Sequence, residues 1–212
     1  MALRITEIFF SIQGESNTVG YPTVFVRLTG CPMRCSYCDT AYAFHGGEKR
    51  ELDDILAEIA QYKAKHITVT GGEPLAQPEC HSLMNKLCDA GYSVSLETGG
   101  AMDISTVDSR VYIVLDIKTP ASNEEHNNTY ANLEHIKLSD CLKFVICSED
   151  DYRWSKEFVE AHNLNEKCDV FFSPSADQLP ARTLADWIVQ DQIPVRLQIQ
   201  LHKVLWDNEA GR

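Results

Sequence analysis

Short apolar runs rich in β-branched residues alternate along this chain with longer stretches whose apolar residues recur at helical spacing. Residues 4–10, Arg-Ile-Thr-Glu-Ile-Phe-Phe, predict a strand leading into a polar, glycine-containing turn, Ser11–Ser16. The β-branched run Pro22–Gly30 predicts a second strand, with Arg27 as a lone charge inside it. An exposed connector, 43–50, precedes Glu51–Lys65, where Leu52, Ile55, Leu56, Ile59 and Tyr62 mark the buried stripe of a helix. His66–Thr70 reads as a strand, and Pro78–Ala90 as a helix stopped by Gly91. Strand Tyr92–Glu97, a short helix around Ile104–Asp108 and the near-continuous apolar strand Val111–Lys118 follow. Residues 121–132 are polar and Asn/Glu-rich, a loop with at most a short helix. Strand Leu142–Cys147, helix Glu149–His162, strand Cys168–Phe172, helix Pro180–Gln190 and a last strand, Val195–Ile199, complete the pattern.

Strands separated by helices need crossover connections and hence a parallel sheet. Counting from Val24 yields about six or seven such strands, fewer than the eight of a closed barrel. The expected fold is α/β, one domain over residues 1–212 with no internal repeat or linker. In parallel α/β folds, ligands bind at the carboxyl ends of strands. Cys31–Cys38, Gly71–Glu73, Glu97–Gly100, Asp116–Lys118 and Ser173–Ser175 all follow strands, so all are expected on one face.

Composition narrows the function classes. Hydrophobic content of 44% and charged content of 24% are ordinary for a globular chain. A net charge of −12 argues against a broad nucleic-acid-binding surface. No run is long enough to span a membrane, and Glu7 falls where a signal peptide needs an apolar core, so a cytoplasmic location is expected. Cysteines there are more often ligands or buried thiols than disulfides. Cys80, Cys88, Cys141, Cys147 and Cys168 lie scattered in apolar segments and read as core thiols.

The remaining three thiols, Cys31, Cys35 and Cys38, fall within eight residues in a CxxxCxxC pattern. Thiolates favour iron–sulfur clusters, zinc or copper(I). A structural zinc site takes four protein ligands, and no fourth cysteine is near. A four-iron cluster on three cysteines leaves one iron open to a substrate or cofactor. The alternatives are a zinc site completed by His45, or two structural thiols with a bystander. Elsewhere, Arg27 is either a surface charge or a pocket cation suited to a carboxylate. Gly71-Gly72-Glu73-Pro74 is either a plain turn or a hydrogen-bonding edge with an acid that accepts from an ammonium group. Glu97 and Lys118 are surface charges or pocket groups.

CxxxCxxC followed by the Gly-Gly-Glu-Pro strand end resembles the radical S-adenosylmethionine superfamily. The resemblance implies an incomplete, TIM-like βα barrel, a 4Fe-4S cluster on Cys31, Cys35 and Cys38, and S-adenosyl-L-methionine chelated to the open iron. Reductive cleavage of that cofactor would yield a 5′-deoxyadenosyl radical that abstracts hydrogen. Phe10-Ser-Ile12-Gln13-Gly14-Glu15-Ser16, Phe25-Val-Arg27-Leu-Thr-Gly-Cys31 and Cys35-Ser-Tyr-Cys38-Asp39-Thr40 look more closely like the 7-carboxy-7-deazaguanine synthases. That family implies ring contraction of 6-carboxy-5,6,7,8-tetrahydropterin with loss of ammonia, on the route to queuosine. It also implies a homodimer, an electron donor such as flavodoxin, and a cofactor regenerated by hydrogen return.

Matching positions carry implied roles. Ile12, Gln13, Gly14 and Glu15 resemble the segment that recognises the pterin, Arg27 the cation for its carboxylate, and Thr70 a further contact. Thr40 resembles the hydroxyl ligand of a Mg2+ ion that bridges to the carboxylate. Tyr37, Asp39, Gly72, Glu73, Glu97, Asp116, Lys118 and Ser173 fall where the family meets S-adenosylmethionine. Leu115-Asp-Ile-Lys118 stands where many members carry Ser-Pro-Lys. In some members the chain end closes the substrate pocket, which would involve His202 or Trp206. A glycyl-radical-enzyme activase shares the cysteine spacing but not the Gln13, Arg27 and Thr40 set. A non-catalytic metal scaffold would cleave no cofactor.

Overall fold

The computed structural model describes residues 1–207, 209 and 211. In chain order its main elements are β1 (Ala2–Ile12), β2 (Pro22–Leu28), β3 (Glu48–Glu51), α1 (Leu52–Ile59), β4 (His66–Gly71), α2 (Cys80–Asp89), β5 (Ser93–Thr98), β6 (Tyr112–Ile117), β7 (Cys141–Ile146), α3 (Glu149–Ala161), β8 (Asp169–Pro174), α4 (Ala181–Asp191), β9 (Arg196–Leu197) and α5 (Leu201–Trp206). They build one sheet in the order β3-β1-β2-β4-β5-β6-β7-β8-β9. From β2 to β9 every neighbouring pair is parallel, whereas β1 runs antiparallel to both β2 and β3. The edges β3 and β9 do not pair among the described residues, so the barrel is open, as expected.

Alternation along the strands sorts residues between two sides. Val24, Val26, Leu28, Ile67, Val69, Leu96, Leu115, Leu142, Phe144 and Phe172 face the helices and form one continuous core. Val114, Cys141 and Phe171, with Tyr112 against them, form a separate small cluster. The latter parity is the one that continues into Asp116, Lys143 and Ser173, and these three line a cavity.

Several local expectations change. Residues 48–50, read as connector, and Glu51, read as the start of a helix, are the edge strand β3. Its sequence, Glu-Lys-Arg-Glu, has no apolar alternation, because charged residues suit an exposed edge that must resist further pairing. No helix forms at Ile104–Asp108, and the last strand shrinks to two residues. Residues 121–132 hold 3-10 turns fastened by asparagines. The Asn132 side chain accepts from Ile104 N and donates to the carbonyls of Gly100 and Met102. These side chains satisfy backbone groups that a crossover helix would otherwise satisfy itself. Of the five scattered cysteines, four are buried and Cys88 is half-buried. No helix is long and apolar enough to cross a membrane among the described residues.

Phe144 is fully buried on β7 and packs edge-on against both Phe158 and Phe172. Phe144→Ala is expected to cost about 3–5 kcal/mol of stability, read as a lower urea midpoint in equilibrium unfolding.

Candidate active site

A cavity of about 740 Å³ opens at the carboxyl ends of the parallel strands. Cys31, Cys35 and Cys38 line it from the loop after β2, together with Tyr37, Asp39 and Thr40. Strand ends contribute Arg27, Thr70, Gly72, Glu97, Asp116, Lys118 and Ser173, and the turn after β1 contributes Gln13 and Glu15. The shared face expected from the strand-end rule is therefore observed.

The cysteine loop is seated by glycine. The backbone of Gly72 donates to Leu28 O at 3.1 Å, and Glu73 N to Gly30 O at 2.8 Å. A Cβ on Gly72 would collide with the Gly30 carbonyl and with Cys31, and one on Gly99 would collide with Met33. These positions are glycine because a loop packs on the strand ends, a packing reason beside the ligand-approach reason read from sequence. From the other side, the polar 121–132 segment grips the same loop. Ser36 N donates to Ser122 O at 3.0 Å, Ser36 Oγ to Ala121 O at 2.6 Å and Arg34 N to the Glu124 carboxylate at 2.6 Å.

The three thiols are half-buried and unpaired. Burial lifts Cys31 above the usual thiol range and pushes Cys35 up to about 11. A metal ligated by these two thiols would have to displace their protons. Among the described residues no three Cys, His, Asp or Glu side chains converge closely enough to hold a single metal ion. His45 is exposed and is not among the cavity-lining residues.

Beside the thiols lies a group of polar atoms whose hydrogen bonds are unmade. Tyr37 OH, Asp116 Oδ1 and Ser173 Oγ are buried and have no partner. Lys118 Nζ pairs with Asp116 Oδ2 at 3.1 Å and sits 5.9 Å from the Tyr37 ring centre. Asn128 pins the Lys118 backbone at both N and O, each at 2.9 Å. Burial alone would lower the Lys118 ammonium, but Asp116 and neighbouring thiol and carboxylate groups hold it above the usual lysine range. Orphaned buried polar groups are costly without a ligand. Three of them beside three thiols suit a polar, zwitterionic cofactor bound against a metal cluster.

A second set gathers on the β1–β2 side. Gln13 Nε2 donates to Thr68 Oγ1 at 3.1 Å and to Glu97 Oε1 at 3.3 Å, and Thr70 Oγ1 donates to Glu97 Oε2 at 3.2 Å. Burial and the nearby Glu15 push the Glu97 carboxyl up, against the pull of Lys143, Arg27 and Thr70. Glu15 is ion-paired with Lys143 and accepts from Gln200 Nε2 at 2.8 Å. Burial would raise Glu15, yet Lys143 and Gln200 outweigh it and bring the carboxyl down to about 2. Arg27 Nε donates to Glu7 Oε1 at 2.7 Å.

Some predicted residues fall elsewhere. The Glu73 carboxylate is fully buried and does not line the cavity; it accepts from Leu75 N, Thr98 Oγ1 and Gly99 N. It thus holds the Gly99 backbone where an ammonium ligand was expected. Glu97, expected in the cofactor group, is hydrogen-bonded within the Gln13–Thr70 set. Ile12 and Gly14 are not cavity-lining. Gly14 O instead accepts from Leu201 N at 3.1 Å, and its missing Cβ makes room for His202. His202 lines the cavity, with its imidazole lowered by burial, while Trp206 does not line it. Sequence reasoning missed Lys143 and Gln200. Lys143 interrupts the apolar strand Leu142–Cys147 as Arg27 interrupts β2, so the same signal was present. Gln200 had none.

Residues 25–120 match the model of the radical SAM superfamily, whose members use a 4Fe-4S cluster and S-adenosylmethionine. In fold, the chain superposes on the crystal structure of QueE from Escherichia coli with a TM-score of 0.80 at 23% identity, covering 95% of each chain. The 7-carboxy-7-deazaguanine synthase of Chlorobaculum tepidum is 43% identical over 98% of this chain and 96% of its own length. Those of Koribacter versatilis (38%; 98% and 99%) and Thermoplasma acidophilum (34%; 99% and 100%) align as completely. The chain belongs to the 7-carboxy-7-deazaguanine synthase family.

The Glu15–Lys143 pair has a signature in pH. A depressed Glu15 contributes stability that is complete above its unfolded value of 4.5 and disappears as pH falls towards about 2. Lys143→Met strands that carboxylate, costing about 3–5 kcal/mol at neutral pH. The deficit is expected to narrow as pH drops below about 5, where protonation removes the stranded charge. Urea unfolding of both proteins between about pH 4 and pH 7 checks this.

Proposed function

We propose that this chain is a radical S-adenosylmethionine lyase that converts 6-carboxy-5,6,7,8-tetrahydropterin to 7-carboxy-7-deazaguanine with loss of ammonia, in queuosine or related 7-deazapurine biosynthesis. The observation that carries the reading is one cavity with two chemically distinct walls. Three thiols and three orphaned polar atoms form one wall, and the half-buried Arg27 with a Gln–Glu–Thr hydrogen-bonding set forms the other.

Cys31, Cys35 and Cys38 would hold the 4Fe-4S cluster. With S-adenosylmethionine bound, the cluster supplies the one-electron chemistry that starts hydrogen abstraction. Tyr37, Asp116, Lys118 and Ser173 position the cofactor, because their unmet hydrogen bonds and fixed charges lie beside the thiols. Asp39 and the Gly72 backbone border the same space. Glu73 serves it indirectly, by fixing the strand end at Gly99. Gln13, Glu15, Thr70 and Glu97 take the pterin: a buried carboxylate and carboxamide match an amino-pyrimidinone edge, which offers donors and acceptors side by side. Ile12 and Gly14 support that segment from its backbone. Arg27 meets the substrate carboxylate. Among the described residues its two terminal nitrogens make no hydrogen bond. Thr40 lines the cavity next to Cys38 and offers an oxygen to a Mg2+ ion, a hard cation that completes its shell with substrate oxygens.

The enzyme works in the cytoplasm as a homodimer, on a small-molecule substrate and with an electron donor such as flavodoxin, without nucleic acid or membrane partners. Its acidity, −12 overall, fits the absence of a nucleic-acid partner.

Anaerobic reconstitution with iron and sulfide, reduction, and addition of S-adenosylmethionine, Mg2+ and the carboxypterin should yield 7-carboxy-7-deazaguanine by mass spectrometry, with more than one product per cofactor. Formation of 5′-deoxyadenosine alone would mean that the substrate is wrong. Thr40→Ala is expected to lower turnover and flatten its Mg2+ dependence while iron content stays at the wild-type level. An unaltered Mg2+ response in that variant would remove Thr40 from the site.

A further inference from the structure

Arg27 is held by a residue with no role so far. Glu7 Oε1 accepts from Arg27 Nε at 2.7 Å and from Tyr42 OH at 2.7 Å. The guanidinium lies over two rings, 5.9 Å from the centre of Phe9 and 5.8 Å from that of Tyr42. Phe9 is itself stacked on Phe25 at 4.9 Å. The Arg27 and Glu7 side chains are only 14% and 26% exposed.

The backbone is irregular where this contact is made. Ile5 pairs with Leu28, but Glu7 pairs with Arg27, so one extra residue, Thr6, sits in β1. In an unbroken antiparallel ladder Thr6 would face Arg27. A one-residue shift exchanges the two faces of a strand. Before the bulge, Leu3 and Ile5 belong to the helix-side core. After it, Glu7 and Phe9 line the cavity. Bulges near functional sites commonly re-aim a side chain in this way.

We propose that Glu7 is a positioning residue that makes the cavity selective for a carboxylated pterin. The proposal rests on the role given to Arg27 above. Glu7 occupies the Nε edge of the guanidinium and two rings flank it, which leaves the two terminal nitrogens, without hydrogen bonds of their own among the described residues, as a fork on a residue that lines the cavity. A fixed fork favours a planar bidentate anion over other ligands. Through Tyr42 the same oxygen anchors the 3-10 turn Ala41–Phe44, which directly follows Thr40. One carboxylate on β1 therefore sets both groups assigned to the substrate carboxylate. Its negative charge also offsets that of Arg27, so affinity depends on geometry more than on bare charge.

The test uses the full chain reconstituted with its cluster and S-adenosylmethionine. It measures the binding of 6-carboxypterin and of pterin, which lacks the carboxylate, by their fluorescence. Wild type is expected to prefer 6-carboxypterin by about tenfold or more. Glu7→Ala should bring that ratio close to one. Glu7→Gln, whose carboxamide oxygen still accepts from both donors, should keep most of it. Tyr42→Phe retains the ring and loses the hydroxyl, and should fall between. If Glu7→Ala does not load iron, the comparison of Glu7→Gln with Tyr42→Phe carries the test. Full selectivity in Glu7→Ala or in Tyr42→Phe, or no rescue in a properly loaded Glu7→Gln, overturns the proposal. A wild-type protein with no preference overturns the role of Arg27 itself, and is told apart because the failure precedes any substitution.

Discussion

Charge placed inside an open barrel has to be matched by opposite charge, and this constraint shapes the whole cavity. Lys143 projects from β7 into a space that also holds Glu15, Glu97 and Asp116. Left unpaired, any of these groups would be expensive to bury. Paired, they tie distant parts of the chain together. The Glu15–Lys143 contact joins the turn after β1 to β7 across the barrel interior. Gln200 then bridges Glu15 and Asp39, which draws the C-terminal segment over the cavity and fastens it to the cysteine loop. Gln198, hydrogen-bonded in both directions to the Ser16 backbone, secures the same segment. Closure of the cavity at this end is thus a consequence of how its charges are neutralised.

A second constraint is steric. The cysteine loop lies directly on the ends of β4 and β5, with no room for side chains at Gly72 or Gly99. Glu73, next to one glycine, accepts from the backbone of the other, so the two strand ends are locked as a unit. The loop above them is held by Glu124, Ser122 and Ala121 from the polar crossover.

Much of this was legible before folding. Helical spacing identified α1 to α4, and β-branched runs identified most strands, because burial on one side imposes a period that survives in the sequence. Cys31, Cys35 and Cys38 were legible as a candidate ligand set because all three lie in one short loop. Arg27 stood out as a charge in an apolar strand. Lys143 sent the same signal, but nothing local names its partner, 128 residues away in sequence. The edge strand β3 was hidden because an exposed edge carries no apolar pattern. α5 and Gln200 were hidden because their placement depends on contacts with Gly14, Glu15 and Asp39.

The sequence alone therefore determined the α/β alternation, a strand count too low for a closed barrel and the CxxxCxxC loop, each written in spacing between near neighbours. Only the tertiary structure decided which charges meet. It turned Glu73 inward to serve a backbone amide, joined Glu97 to Gln13 and Thr70 and set Glu7 opposite Arg27 through a single extra residue in β1. The reason is physical. Periodicity records which side of a strand is buried, whereas the pairing of buried charges depends on register and on loops that return from far along the chain.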